Sequence, residues 1–132
     1  MNAQVCDVCK LPINGTDGDT GMLWLNTHKA GAIAMRKKQR QAERVGKTVS
    51  LAELIGGRSA DEFMEDLIGE FWIVCHVDCC PSKEWYGYDI SLEWVPTEAK
   101  ALAWTFHIWK KSWFSGCNWE GAVRRLFEIG HP

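Results

Sequence analysis

No apolar run in this sequence approaches the ~20 residues that a membrane-spanning helix needs, so no membrane partner is expected. The N-terminus, MNAQVCDVCK, has no basic stretch followed by an apolar one, and no secretory signal is read there. There is no recognisable Ser/His/Asp set, phosphate loop or dinucleotide fingerprint, so no small-molecule cofactor is expected. Internal repeats and low-complexity tracts are absent too. These absences lead to the expectation of a cytoplasmic chain whose thiols stay reduced. In such a compartment six cysteines point to metal or burial rather than to disulfides.

What is present fits one domain spanning 1–132. The length is near the commonest domain size, and 46% hydrophobic with 24% charged residues argues against disorder of the whole chain. Eight tryptophans are a heavy load, and most should fill the core and its rim.

The cysteines fall in two clusters. Cys6 and Cys9 are separated by two residues, which lets both thiolates reach one ion from a tight knuckle. His76 and Cys79 have the same spacing within FWIVCHVDCC. If that segment opens a helix, positions i and i+3 share a face and reach one point. Three sulfurs and one imidazole make a closed, four-coordinate structural set suited to Zn2+, with no open position for catalysis. Cys80 or Cys75 can replace a ligand of the second pair. Cys75 ends the apolar run FWIV and should pack inward, whereas Cys117 reads as a plain small residue.

The knuckle Cys6-x-x-Cys9, with an aromatic strand running into His76-x-x-Cys79, resembles the zinc module of LIM domains and, more broadly, treble-clef zinc fingers. The likeness covers residues 5–10 and roughly 70–82. It implies a knuckle, a β-hairpin, and a helix whose first turn supplies the last two ligands. The sequence departs from LIM in lacking a second quartet and in placing 66 residues between Cys9 and His76. The chain as a whole also resembles small bacteriophage proteins from actinobacterial hosts, a likeness that implies no activity.

The expected fold class is therefore α+β: a treble-clef-like zinc site with a β-hairpin, a helical insertion and two C-terminal helices. GMLWLNT (21–27) and EFWIVC (70–75) read as the hairpin strands, with Met22 and Trp24 on one side. The insertion, about 29–69, should hold a helix over 30–46 that projects from the body. Two shorter helices should follow the capping boxes at Ser50 and Ser59, the second presenting Phe63, Met64, Leu67 and Ile68 and ending at Gly69. YDISLEWV (88–95) alternates like a strand. Pro96-Thr97 should start a helix to about 114 that turns Ala99, Leu102, Ala103, Phe106, Trp109 and Trp113 to the core. A last helix after Asn118 should bury Trp119, Ala122, Val123, Leu126 and Phe127.

Net charge is −2, but residues 29–47 sum to +6 and the rest to −8. Arg36, Lys37, Lys38, Arg40 and Arg44 could contact nucleic-acid phosphates, meet an acidic protein, or form a solvated face. One enzyme reading is an HNH-like treble-clef nuclease using His28, which follows the first hairpin strand, although the family's Asp-His pair and later Asn and His are not recognisable. A lone His beside a basic run is more often a surface residue. The favoured expectation is a non-enzymatic, zinc-stabilised regulatory or adaptor protein acting through a protein or nucleic-acid partner.

Overall fold

The computed structural model of the chain describes residues 3–15, 19–44, 64, 67–81 and 87–128. Helix and sheet are mixed, with two small antiparallel sheets among the described residues. β1 (Gln4–Val5) and β2 (Pro12–Ile13) pair as a short hairpin. β3 (Gly21–Asn26) is the centre of a three-stranded sheet, flanked by β4 (Ile73–His76) and β5 (Gly87–Ser91). The expected pairing of the 21–27 and 70–75 segments holds, with Leu23 opposite Val74 and Gly21 opposite His76.

Alternation along β3 gives the sheet two different faces. Leu23, Leu25, Val74 and Ile90 point to the larger core, where they meet Trp72, Leu92, Val95, Trp119 and Leu126. Met22, Trp24, Ile73 and Cys75 point the other way, onto Cys6, Cys80 and Ile13. Trp72 centres the larger core, edge-on to Trp119 at 5.2 Å and to Trp113 at 6.0 Å.

α1 (Thr27–Arg44) follows β3 directly, its first turn capped by the Asn26 side chain, which accepts from the Lys29 N–H at 3.0 Å. It does not simply project. Ala30, Ile33 and Ala34 are buried, and the first half of the helix lies against a 3-10 turn, Phe114–Gly116. Gly116 permits that approach, because any side chain there would overlap the Ala30 carbonyl. The capping-box segment at Ser50 and most of the one at Ser59 lie outside the described residues. Met64, Leu67 and Ile68 are helical but exposed, so they form no buried stripe, and Gly69 follows in the left-handed region at φ +89°.

The strand expected over 88–95 stops at Ser91. The Ser91 hydroxyl accepts from the Glu93 N–H and turns the chain into a 3-10 segment, Leu92–Trp94. α2 (Glu98–Ile108) is capped by Thr97, as expected, but ends six residues before 114. α3 (Trp119–Phe127) is capped by Asn118 and buries Trp119, Ala122 and Leu126, with Val123 and Phe127 half-buried.

The rotation of α2 corrects the sequence reading. Its buried side carries Ala101 and Ile108, flanked by half-buried Trp104 and Thr105. The stripe expected in the core faces solvent: Leu102 is 57% exposed, Phe106 66% and Trp109 55%, with Ala99 and Ala103 exposed beside them. Only Trp113, in the turn beyond the helix, packs on Trp72 and Tyr88. Both stripes have i, i+3, i+4, i+7 spacing, so periodicity does not choose between them. Polar anchoring does. The Trp119 indole N–H donates to the Thr105 hydroxyl at 2.7 Å, and the Trp104 indole N–H donates to the Trp94 carbonyl at 3.2 Å. Turning the other stripe inward would leave the part-buried Trp119 donor unpaired, which costs about 1–3 kcal/mol.

Thr105→Val is therefore expected to destabilise the fold by about 1–3 kcal/mol, whereas Leu102→Ser stays within about 0.5 kcal/mol. Denaturant unfolding of both variants checks this, and the reverse order would restore the original orientation of the helix.

Candidate metal centre

Two turns build the site. In the first, between β1 and β2, the Cys6 N–H donates to the Leu11 carbonyl and the Lys10 N–H to the Cys6 carbonyl, both at 2.9 Å. Lys10 adopts φ 66°, which lets the chain reverse within four residues. The reversal wraps backbone around sulfur, so that the Cys9 N–H points at Cys6 Sγ at 3.4 Å. The second turn begins where β4 ends. Residues 77–79 form a turn that is not the opening of a helix, held by the Cys79 and Cys80 N–H groups on the His76 carbonyl at 3.0 and 2.9 Å. The i, i+3 spacing still converges, because a tight turn brings those positions together as a helical turn would. The His76 N–H also donates to Cys6 Sγ at 3.4 Å, joining the two turns.

One ligand atom from each of Cys6, Cys9, His76 and Cys79 lies within 4.8 Å of every other, so the four residues could hold a metal ion. Around His76 the roles of the ring nitrogens are fixed by their surroundings. Nε2 lies 3.0 Å from the Pro12 carbonyl and 2.9 Å from Asp19 Oδ1, both acceptors, so Nε2 carries the proton. Nδ1 then faces the cluster, 3.3 Å from Cys9 Sγ and 3.9 Å from Cys79 Sγ, and is the nitrogen that could bind a metal once its own proton is lost. A carbonyl or carboxylate behind a ligating imidazole fixes its tautomer and raises its basicity.

The electrostatics are those of a thiolate site. Burial opposes ionisation of Cys6, but the N–H groups of Cys9, His76 and Val8 aimed at its sulfur prevail and bring its pKa down to about 6. Contact with the Cys6 sulfur, aided by the Pro12 carbonyl and Cys9, raises His76 to about 9. Burial and the neighbouring Cys9 and Cys6 sulfurs push Cys79 up to about 11. The group crowds more negative charge together than it can hold alone, and a cation relieves that crowding.

The remaining cysteines are not among the four converging ligands. Cys75 is fully buried, and burial with the adjacent Cys80 thiol pushes its pKa up, keeping it protonated. Cys80 packs in the same small core. Cys117 lies across the sheet, against the larger core, where burial raises its thiol. His28 sits past the far end of β3 from the Gly21–His76 pair, roughly 20 Å along the strand. Of the basic residues, Arg36, Lys37 and Arg40 are half-buried, and Lys37 Nζ donates to the Ser115 carbonyl at 2.9 Å. Lys38 is exposed, and the Arg44 side chain lies outside the described residues.

Sequence reasoning missed three residues that position the site. Asp7, between the first two cysteines, accepts the Val74 N–H at 2.8 Å, while its own N–H donates to the Val74 carbonyl at 2.7 Å. Arg125 on α3 grips the same carboxylate through two nitrogens at 2.8 and 2.9 Å and reaches the Val5 carbonyl at 3.1 Å. Burial opposes it, but the Arg125 fork and the Val74 N–H outweigh burial and hold Asp7 below the usual carboxylate range. Asp19 is the third, behind His76. Asp at the second position of a C-x-x-C turn is a readable hint; Arg125 gives none, because an outward Arg on an amphipathic helix looks like solvated surface.

No protein-family model matches this chain, and neither a curated protein nor a solved structure matches it. The metal centre therefore stands on its own geometry.

One equivalent of metal per chain is expected, and Cys6→Ser or Cys9→Ser should abolish it, as elemental analysis would show. Ligands must be deprotonated to bind, so the protons retained on Cys79 and His76 leave as metal enters. Affinity should rise from pH 6 to pH 8, and calorimetry in buffers of different ionisation enthalpy should detect proton release. Asp19→Ala should lower metal affinity by about 10–100-fold while leaving the stoichiometry at one; a change under about twofold would show that Pro12 alone orients the imidazole.

Proposed function

We propose that this chain is a non-enzymatic, zinc-stabilised binding protein of a reducing compartment such as the cytoplasm, acting as a regulatory or adaptor module through protein contact. Three thiols and an imidazole favour zinc among the common metals. Tetrahedral bonds of about 2.3 Å to sulfur and 2.0 Å to nitrogen separate ligand atoms by about 3.5–3.8 Å, close to the 3.3 and 3.9 Å measured from His76 Nδ1. Four protein ligands leave no position for a reacting water, which supports a structural rather than a catalytic ion. The knuckle and the β3–β4 pair support the treble-clef likeness, while the turn at 77–79 is its weakest part.

The observation that carries the binding reading is the α2 face. Leu102, Phe106 and Trp109 are each more than half exposed on one side of one helix. Scattered exposed apolar residues are ordinary, but a contiguous apolar face is not, and it marks a contact surface. Nucleic-acid binding through α1 has less support, because Lys37 spends its charge on the protein's own backbone and Arg36 and Arg40 are also engaged. A nuclease built on His28 gains nothing from the distant metal centre.

The test is capture from host extract on wild-type protein and on Leu102→Ser/Phe106→Ser, with nuclease and moderate salt. The expected result is a protein, the chain itself counted, that survives both treatments and is lost with the variant. Capture abolished by nuclease, or by Lys37→Gln/Lys38→Gln/Arg40→Gln alone, would transfer the function to α1 and nucleic acid.

A further inference from the structure

The four ligands of the candidate metal centre are not equally sheltered. Cys6 is fully buried, and its sulfur accepts the Cys9 and His76 N–H groups, both at 3.4 Å. Cys9 is exposed. Its sulfur has the His76 Nδ1 beside it at 3.3 Å, and among the described residues no backbone N–H points at it. A cavity of about 480 Å³ opens on this side of the site. Cys9, His76 and Cys79 line it, and Cys6 does not. A small solute that enters therefore meets the Cys9 and Cys79 sulfurs and is kept from Cys6. We propose that Cys9 is a modification site for a hydroperoxide, with Cys79 as the thiol that resolves it into a disulfide. The inference rests on the reading of the quartet as a zinc site and names how that site is regulated.

A metal-ligating cysteine is held as the thiolate, which is the reactive form. Hydrogen bonds to a thiolate stabilise its charge and make it a poorer nucleophile. Cys6, with two N–H donors, is quenched in this way, and Cys9 is not. Oxidation follows thiolate character and exposure, and sensing cysteines stand next to a resolving one. The Cys9 and Cys79 sulfurs lie within 4.8 Å of each other. Both residues sit in turns, so closing to the ~2.05 Å of a disulfide moves turns rather than a strand. The Cys9 thiolate attacks one peroxide oxygen: an S–O bond forms, the O–O bond breaks, and an alkoxide or hydroxide leaves. The Cys79 thiolate then attacks the Cys9 sulfur: an S–S bond forms, the S–O bond breaks, and hydroxide leaves. Both leaving oxyanions take a proton from solvent. Two electrons pass from the two sulfurs to the peroxide, which ends as an alcohol and water, or as two waters from hydrogen peroxide.

Disulfide sulfurs carry no charge. Cys6 and His76 are then the only ligands left in the quartet, too few for a closed site, and the chain no longer holds its ion. The Asp7 carboxylate, still bonded to the Val74 N–H and to Arg125, keeps the first turn in place, so reduction can rebuild the site. In a reducing compartment such a disulfide is transient, as redox sensing requires. The experiment uses the full, zinc-loaded chain, its metal content measured first. Hydrogen peroxide is added in roughly tenfold excess while a chromogenic chelator reports free zinc. Disulfides are mapped by peptide mass spectrometry without reduction. The expected result is a Cys9–Cys79 linkage that forms in step with loss of the zinc. Dithiothreitol should restore both the thiols and zinc binding. Cys117→Ala, across the sheet, should leave the linkage the same and the release rate within about twofold.

Zinc retained while Cys117, or Met35 at 64% exposure, is oxidised first overturns the modification site. So does a first linkage of Cys6 to Cys9 or of Cys75 to Cys80, and so does oxidation of Cys9 that stops short of a disulfide. Each of these outcomes starts from a chain that carries its zinc, so the metal reading survives them. A folded, untreated chain without zinc overturns the metal reading and this inference together.

Discussion

The structure depends on one joint: the meeting of residues 6–9 with residues 76–79, brought together from opposite sides of a long intervening segment. Closing so long a loop costs entropy before any contact repays it. Two sets of interactions repay it at the same place. The Cys6 sulfur accepts N–H groups from both turns, and the Asp7 carboxylate ties the first turn to β4 and to α3 through Val74 and Arg125. A metal ion held by the quartet would add a third tie. β4 is an edge strand, and the Asp7–Val74 bonds also cover part of the edge it would otherwise expose.

That joint explains why so small a set of strands suffices. Three strands with one covered face are about the least that is independently stable. Here the helices cover the Leu23–Val74–Ile90 face, and the two turns cover the Trp24–Cys75 face. Cys75 and Cys80 belong to this second layer as small apolar groups. Their place beside the quartet follows from packing, since a buried thiol fits between the turns and the sheet where a larger side chain would not.

Much of the site was legible in the sequence because ligand spacing is a local property. Two residues between Cys6 and Cys9, and again between His76 and Cys79, dictate convergence whether the backbone makes a turn or a helix. The pairing of the 21–27 and 70–75 segments was legible from apolar alternation, and α3 from its cap at Asn118 and its single apolar stripe. What could not be read was set by distant partners. Nothing local says that Arg125 reaches Asp7, or that Asp19 stands behind His76. The rotation of α2 is the clearest case: a helix apolar on two stripes has no preferred side until Trp119 offers an indole to Thr105. The docking of α1 was hidden similarly, in the absence of a side chain at Gly116.

The two apolar stripes of α2 also place a division within the molecule. Its inner stripe joins the core on the helical face of the sheet, while the quartet lies against the opposite face. The metal centre and the exposed stripe therefore share no residue and no direct contact layer. A structural ion placed there can hold the scaffold without constraining what α2 meets. Conversely, substitutions along Leu102, Phe106 and Trp109 are free of the packing that fixes Ala101 and Ile108. A helix used only to fill a core would need polar residues outward, and this one sets Leu102, Phe106 and Trp109 outward beside Glu98, Lys100 and His107. In water that choice stabilises nothing within one chain, and it is on this ground that the proposed contact surface is placed on α2.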